Sequence, residues 1–223
     1  MNKIIKYFGD PDELIHWLEE CIPAYKDYTI ETKNLDSKVT LNNIEMREYN
    51  KLLYMLGDNV YAEDDASLEE ILVEFLLENN LKISTAESCT GGMVASKIIN
   101  VSGASEVFYE GMVTYSNEAK IERLDVNEEI LDKYGAVSKE VAEEMAYGIV
   151  SENANVGIAT TGIAGPGGGS ENKPVGLVYI SVIYQADPVV NRFIFEGTRN
   201  EIRESASNMA LFCAYSYLRE KLG

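Results

Sequence analysis

The segment Asn155-Val156-Gly157-Ile158-Ala159-Thr160-Thr161 constrains the fold more than any other. It is apolar on both faces and runs straight into Gly162-Ile163-Ala164-Gly165-Pro166-Gly167-Gly168-Gly169. A strand of that kind belongs at the centre of a sheet covered by helices on either side. Five glycines and a proline in eight residues then make a loop whose backbone can approach an anion without side chains intervening. In open α/β sheets the ligand crevice lies outside the carboxyl ends of the strands, where this loop must emerge. Its position favours phosphate contact over a plain linker. Its spacing matches neither the Walker nor the Rossmann pattern, so neither an NTPase nor a dinucleotide dehydrogenase is indicated.

The remaining pattern supplies the rest of such a domain. Ser67-Leu68-Glu69-Glu70 has the form of a capping box ahead of a helix over 68–79. A strand from Leu81 to Thr85 follows, then a helix over Met93 to Ile99. Val107 to Tyr115 alternates as a strand, and Ser116 or Asn117 can cap a short helix. Asn127 to Tyr134 reads as a helix closed by Gly135, and Ser138 opens one running to about Glu152. Leu177 to Tyr184 and Asn191 to Phe195 read as an antiparallel pair turned at Gln185 to Pro188, before a last helix from Arg199 to Leu222.

Residues 1–66 form a separate small α+β unit in this reading. It has a helix over 10–22, a hairpin of Tyr28 to Lys33 with Lys38 to Leu41, and a helix from Ile44 to Leu56 closed by Gly57. The acidic run Tyr61 to Ala66 marks the boundary with a main domain at 67–223.

Composition narrows the partners. A net charge of −18, from 37 acids against 19 bases, argues against gripping a nucleic-acid backbone. An acidic chain can still bind a small anion through backbone amides and one or two basic side chains. Cys21, Cys89 and Cys213 show no CxxC spacing, so neither a disulfide framework nor a zinc site is indicated, and the chain reads as cytoplasmic with reduced thiols. No signal-peptide pattern or membrane-length apolar run is found, so no membrane association is expected.

Thr85-Ala86-Glu87-Ser88-Cys89-Thr90-Gly91-Gly92 sits at a strand-to-helix turn, where unpaired amides and the helix dipole favour negative charge. That suits a nucleophile at Ser88, although its own neighbours favour a helix cap at Ser88 or Thr90. The single histidine, His16, lies in the N-terminal unit, so a Ser-His-Asp triad or a Cys-His pair on Cys89 would have to span domains. A lysine base remains, and Lys120, just past a strand end, is the candidate, though taken alone it reads as a surface lysine. Arg199 and Arg203 lie four apart on one helix face.

The segments TAESCTGG (Thr85 to Gly92), YSNEAK (Tyr115 to Lys120), GAVS (Gly135 to Ser138), TGIAGPGGG (Thr161 to Gly169) and KPVG (Lys173 to Gly176) together resemble the C-terminal domain of the CinA family. That family comprises competence/damage-inducible proteins and nicotinamide mononucleotide deamidases. The resemblance covers about residues 68–220. Residues 1–66 resemble its KH-like middle domain, but lack the GxxG loop and are not basic, so RNA binding is not implied. The larger N-terminal domain of full-length relatives, similar to molybdopterin-binding domains and associated with ADP-ribose pyrophosphatase activity, has no counterpart, and that activity is not carried over.

The resemblance implies a three-layer α/β/α sandwich with a mixed sheet. It also implies hydrolysis of the carboxamide of nicotinamide mononucleotide to nicotinate mononucleotide and ammonia, without metal or cofactor. By motif, Ser88 matches the nucleophile, Lys120 its base and Tyr115 a polar partner. Amides from Cys89, Thr90, Gly91 and Gly92 would hold the oxyanion. Asn117, Thr161, Gly162, Gly165, Gly167 and Gly168 would contact substrate, with either Arg199 or Arg203. A homodimer or higher homo-oligomer is expected from the same source. The alternative is a non-catalytic nucleotide-sensing or partner-binding module in competence or DNA-damage responses.

Overall fold

The computed structural model describes residues 2–24 and 27–223. The chain divides into two compact units, Met1–Ile71 and Leu72–Gly223. Among the described residues, no helix is long and apolar enough to cross a membrane.

The first unit contains β1 (Lys3–Phe8), α1 (Pro11–Cys21), β2 (Tyr28–Lys33), β3 (Asp36–Leu41), α2 (Met46–Leu56) and β4 (Val60–Ala62). Its antiparallel sheet has the order β2-β3-β1-β4, and Ile5, Leu14, Leu18, Val39 and Leu52 close the core. The sequence reading lacks β1 and β4. In β1 the apolar residues come as adjacent pairs, Ile4-Ile5 and Tyr7-Phe8, so the period of two is masked although the strand is central. In β4 only three residues pair, at the start of the acidic run, where buried Tyr61 donates its hydroxyl to Asp36 at 2.8 Å. The hairpin turn is tighter than expected. Asn34 and Leu35, at φ 51° and 70°, form it alone and bring Asp36 into β3.

α3 (Leu68–Glu78), which belongs to the second unit from Leu72 onward, has its capping box formed: the Ser67 amide donates to Glu70 at 2.7 Å, and the Glu70 amide to Ser67 Oγ at 3.3 Å. Then come β5 (Ile83–Glu87), α4 (Met93–Ile99), α5 (Ala104–Val107), β6 (Phe108–Val113), α6 (Asn117–Leu124), α7 (Glu128–Tyr134), α8 (Lys139–Ile149), β7 (Val156–Gly162), β8 (Leu177–Tyr184), β9 (Asp187–Ile194) and α9 (Arg199–Leu222). The sheet order is β6-β5-β7-β8-β9, parallel among β6, β5 and β7 and antiparallel beyond.

This is a three-layer α/β/α sandwich on a mixed sheet, with β7 at its centre. Ala86, Ala159 and Ile183 face α8, packing on Val141, Met145 and Ile149. By strand alternation Val178, Ile180 and Val182 face the other way, toward α9. Three expectations shift. Residues 104–107 form a helical turn ahead of β6, α8 ends at Ile149 rather than near Glu152, and β9 begins at Asp187. The last follows from a two-residue turn, with Gln185 and Ala186 at φ 52° and 60°.

Candidate active site

Because β5, β6 and β7 are parallel, their carboxyl ends share one edge. The chain leaves β5 at Ser88, β6 at Thr114-Tyr115 and β7 at the Gly-rich loop. Between them lies a cleft of about 270 Å³. Ser88 is held at the floor by its amide, which donates to the Thr160 carbonyl at 3.0 Å.

Lys120 reaches the same point from α6. That helix starts immediately after β6, with Ser116 Oγ accepting the Ala119 amide at 3.2 Å, and its inward face carries Lys120 and Leu124. Lys120 Nζ lies 3.0 Å from Ser88 Oγ, 2.7 Å from the Thr114 carbonyl and 3.4 Å from the Tyr115 carbonyl. The lysine is 1% exposed. Burial pulls its pKa down to about 8, against a small opposing pull from Cys89. A neutral amine has two hydrogens and one lone pair. With its hydrogens directed to the two carbonyls, the lone pair is left for the Ser88 hydroxyl proton. Burial pushes the adjacent Cys89 thiol up to about 12, so Cys89 is protonated at neutral pH and poorly nucleophilic.

The structure brings together Ser88, Cys89, Tyr115, Lys120, Thr161, Gly162, Gly165, Gly167, Gly168 and Arg199 around the cleft. Arg199 crosses its mouth, donating to the Gly165 carbonyl at 2.7 Å and to the Tyr115 hydroxyl at 3.0 Å. Thr161 is turned by its hydroxyl onto the Ala136 carbonyl at 2.7 Å. Ala136 and Val137 also line the cleft, residues that sequence reasoning quoted only as part of a motif. Among the described residues no Asp or Glu lines it, whereas the chain as a whole is strongly acidic.

Five expected residues lie outside the lining. Asn117 is exposed at the first position of α6. Thr90 turns away to share a 2.7 Å hydrogen bond with Thr160 Oγ1. Gly91 and Gly92, in the loop after Ser88, do not line the cleft, and neither does Arg203, whose head group donates to the Cys89 and Thr90 carbonyls. The helix start also departs from expectation, since neither Ser88 nor Thr90 caps α4. Gly92, at φ 91°, is the cap residue, and the buried Glu87 carboxylate accepts the amides of Gly92, Val94 and Ala95 at 2.9, 3.1 and 2.8 Å. The positive end of α4 is thus occupied by a side chain from β5, and the Gly92 amide is not free for an oxyanion. Sequence reasoning missed Glu87. Its signal was the strand period, which sets Thr85 and Glu87 on one face and makes a carboxylate there a buried group in need of donors.

The sequence model of the CinA C-terminal domain matches residues 65–218. The chain belongs to the CinA family. It is 58% identical over 153 residues to a putative competence-damage inducible protein of Clostridium beijerinckii, covering 68% of this chain and 37% of that one. It is 50% identical over 183 residues to one of Clostridium kluyveri, covering 82% and 44%. The chain therefore spans about two fifths of the length of these CinA relatives. Among solved structures, a CinA superfamily protein from Klebsiella pneumoniae superposes with a TM-score of 0.67 at 30% identity, covering 69% of this chain and 96% of that one. The competence/damage inducible protein CihA from Agrobacterium tumefaciens superposes at 0.61 and 39% identity, covering 66% and 93%.

Proposed function

We propose that the cleft hydrolyses the carboxamide of nicotinamide mononucleotide, giving nicotinate mononucleotide and ammonia. The observation that carries this reading is the buried Lys120 amine 3.0 Å from Ser88 Oγ. Ser88 Oγ attacks the amide carbon as Lys120 takes the hydroxyl proton. The carbonyl oxygen becomes an oxyanion, for which the candidate donor is the amide of Cys89, the one residue of the expected donor set that lines the cleft. Lys120 then gives its proton to the departing nitrogen, and ammonia leaves an ester on Ser88. Water attacks that ester, Lys120 takes the water's proton and returns it to Ser88, and the acid is released.

The substrate's charge fits the lining. Arg199, with no acidic side chain among the described residues that line the cleft, favours an anionic substrate, and the glycines of the loop over 162–169 let a phosphate approach main-chain amides closely. The Tyr115 hydroxyl, which accepts from Arg199, keeps its own proton to donate to the ribose or ring. The direct test is ammonia release from nicotinamide mononucleotide by the purified protein. It is expected from the wild type and absent in Ser88→Ala; release at an unchanged rate in the variant would remove Ser88 from the mechanism.

A further inference from the structure

The two arginines at the start of α9 end in different places. Arg199 enters the cleft, whereas Arg203, one turn later, does not line it. The Arg203 guanidinium lies instead behind the loop that follows the nucleophile. Its Nε–H donates to the Cys89 carbonyl at 3.1 Å, and an Nη2–H donates to the Thr90 carbonyl at 2.8 Å. Gly91 leaves the space for this approach, since a Cβ there would stand 3.2 Å from Nη2 in a backbone at φ 63°.

Only the residues from Ser88 to Gly92 separate β5 from α4, and they belong to neither element. They are gripped from two sides by opposite charges. Glu87 takes the amides at the start of α4, and Arg203 takes two successive carbonyls just after Ser88. A planar trans peptide points its carbonyl and its amide in opposite directions. By fixing the carbonyls of Cys89 and Thr90, Arg203 therefore fixes the amides of Thr90 and Gly91 facing away from α9. A bidentate fork sets both planes at once, which a single ammonium cannot do.

We propose that Arg203 is a positioning residue for the reaction. It holds the peptide planes after Ser88, and through them the attack geometry of Ser88 Oγ beside Lys120, without touching substrate. The proposal rests on Ser88 being the nucleophile.

The test compares Arg203→Met, Arg203→Lys and Leu211→Ala, the last a buried position further along α9. Three quantities are measured: kcat and KM for ammonia release from nicotinamide mononucleotide, the rate at which a fluorophosphonate labels Ser88 by mass spectrometry, and the thermal midpoint. In Arg203→Met, kcat and the labelling rate should fall together by about 10²-fold, the scale of a displacement of roughly 1 Å, with KM nearly unchanged. Arg203→Lys should recover part of both rates, and decides the matter if the Met variant does not fold. Leu211→Ala should lose thermal stability and keep both rates, separating positioning from general destabilisation. A raised KM with unchanged kcat would make Arg203 a substrate contact and overturn the proposal, as would wild-type labelling in the Arg203 variants. If wild-type Ser88 resists labelling and Ser88→Ala still releases ammonia, the nucleophile assignment falls and this proposal with it.

Discussion

At the scale of single residues, the proposed reaction depends on one proton on Lys120. Its pKa of about 8 lies below the ordinary 10.5 because the amine is buried, so the neutral, base-competent form grows as pH rises through 8. In the free enzyme, kcat/KM should therefore climb with pH and level off above about 8. A limb that falls through that region would mean that the ammonium is the active form. Lys120→Arg should be inactive across the range, since a guanidinium stays charged. The sequence offered this pair as candidates but not their geometry. Lys120 taken alone reads as a surface lysine, and only the strand order that sets β6 beside β5 turns it inward onto Ser88. The strand period could have marked Glu87 as buried but not its partners, because its three amide donors lie five to eight residues on, past a turn whose path no local propensity specifies.

At the scale of elements, α6 is the arm that carries Lys120, the proposed base, and its seat is a glycine. Gly148 of α8 lies directly against the Leu124 carbonyl at the end of α6, leaving no room for a Cβ. Leu124 follows Lys120 by four residues on the same buried face. Gly148→Ala should displace α6, costing about 1–3 kcal/mol of stability as overpacking does. Activity should fall by up to about 10²-fold as Lys120 moves from Ser88. Denaturant midpoints and ammonia release check this, and a variant unchanged in both would show that α6 is not seated there. Elements with strong local pattern, such as β7, α3 and α9, were legible in the sequence, as was the Gly-rich loop. Those missed or misjudged have weak local signals: doublets in β1, three residues in β4, one turn in α5, and turns that accept Leu35 and Ala186 at positive φ.

At the scale of the whole molecule, a cleft lined by no acid among the described residues opens in a chain of net charge −18. For the proposed anionic substrate, the surrounding field would repel what the cleft itself would attract. Screening acts on the long-range part first, as the Debye length shrinks from about 30 Å at 0.01 M salt to about 8 Å at 0.15 M. Over that range kcat/KM should rise, through KM, with kcat steady; a fall would mean that attraction by Arg199 dominates the approach. The central claim is that Ser88 becomes covalently acylated, and it is tested most directly by quenching the enzyme during turnover and weighing the peptide that contains Ser88. An ester of the nicotinate nucleotide on Ser88, forming as ammonia is released and discharged by hydroxylamine, is the result predicted. Turnover with no adduct, unaffected in Ser88→Ala, would contradict it.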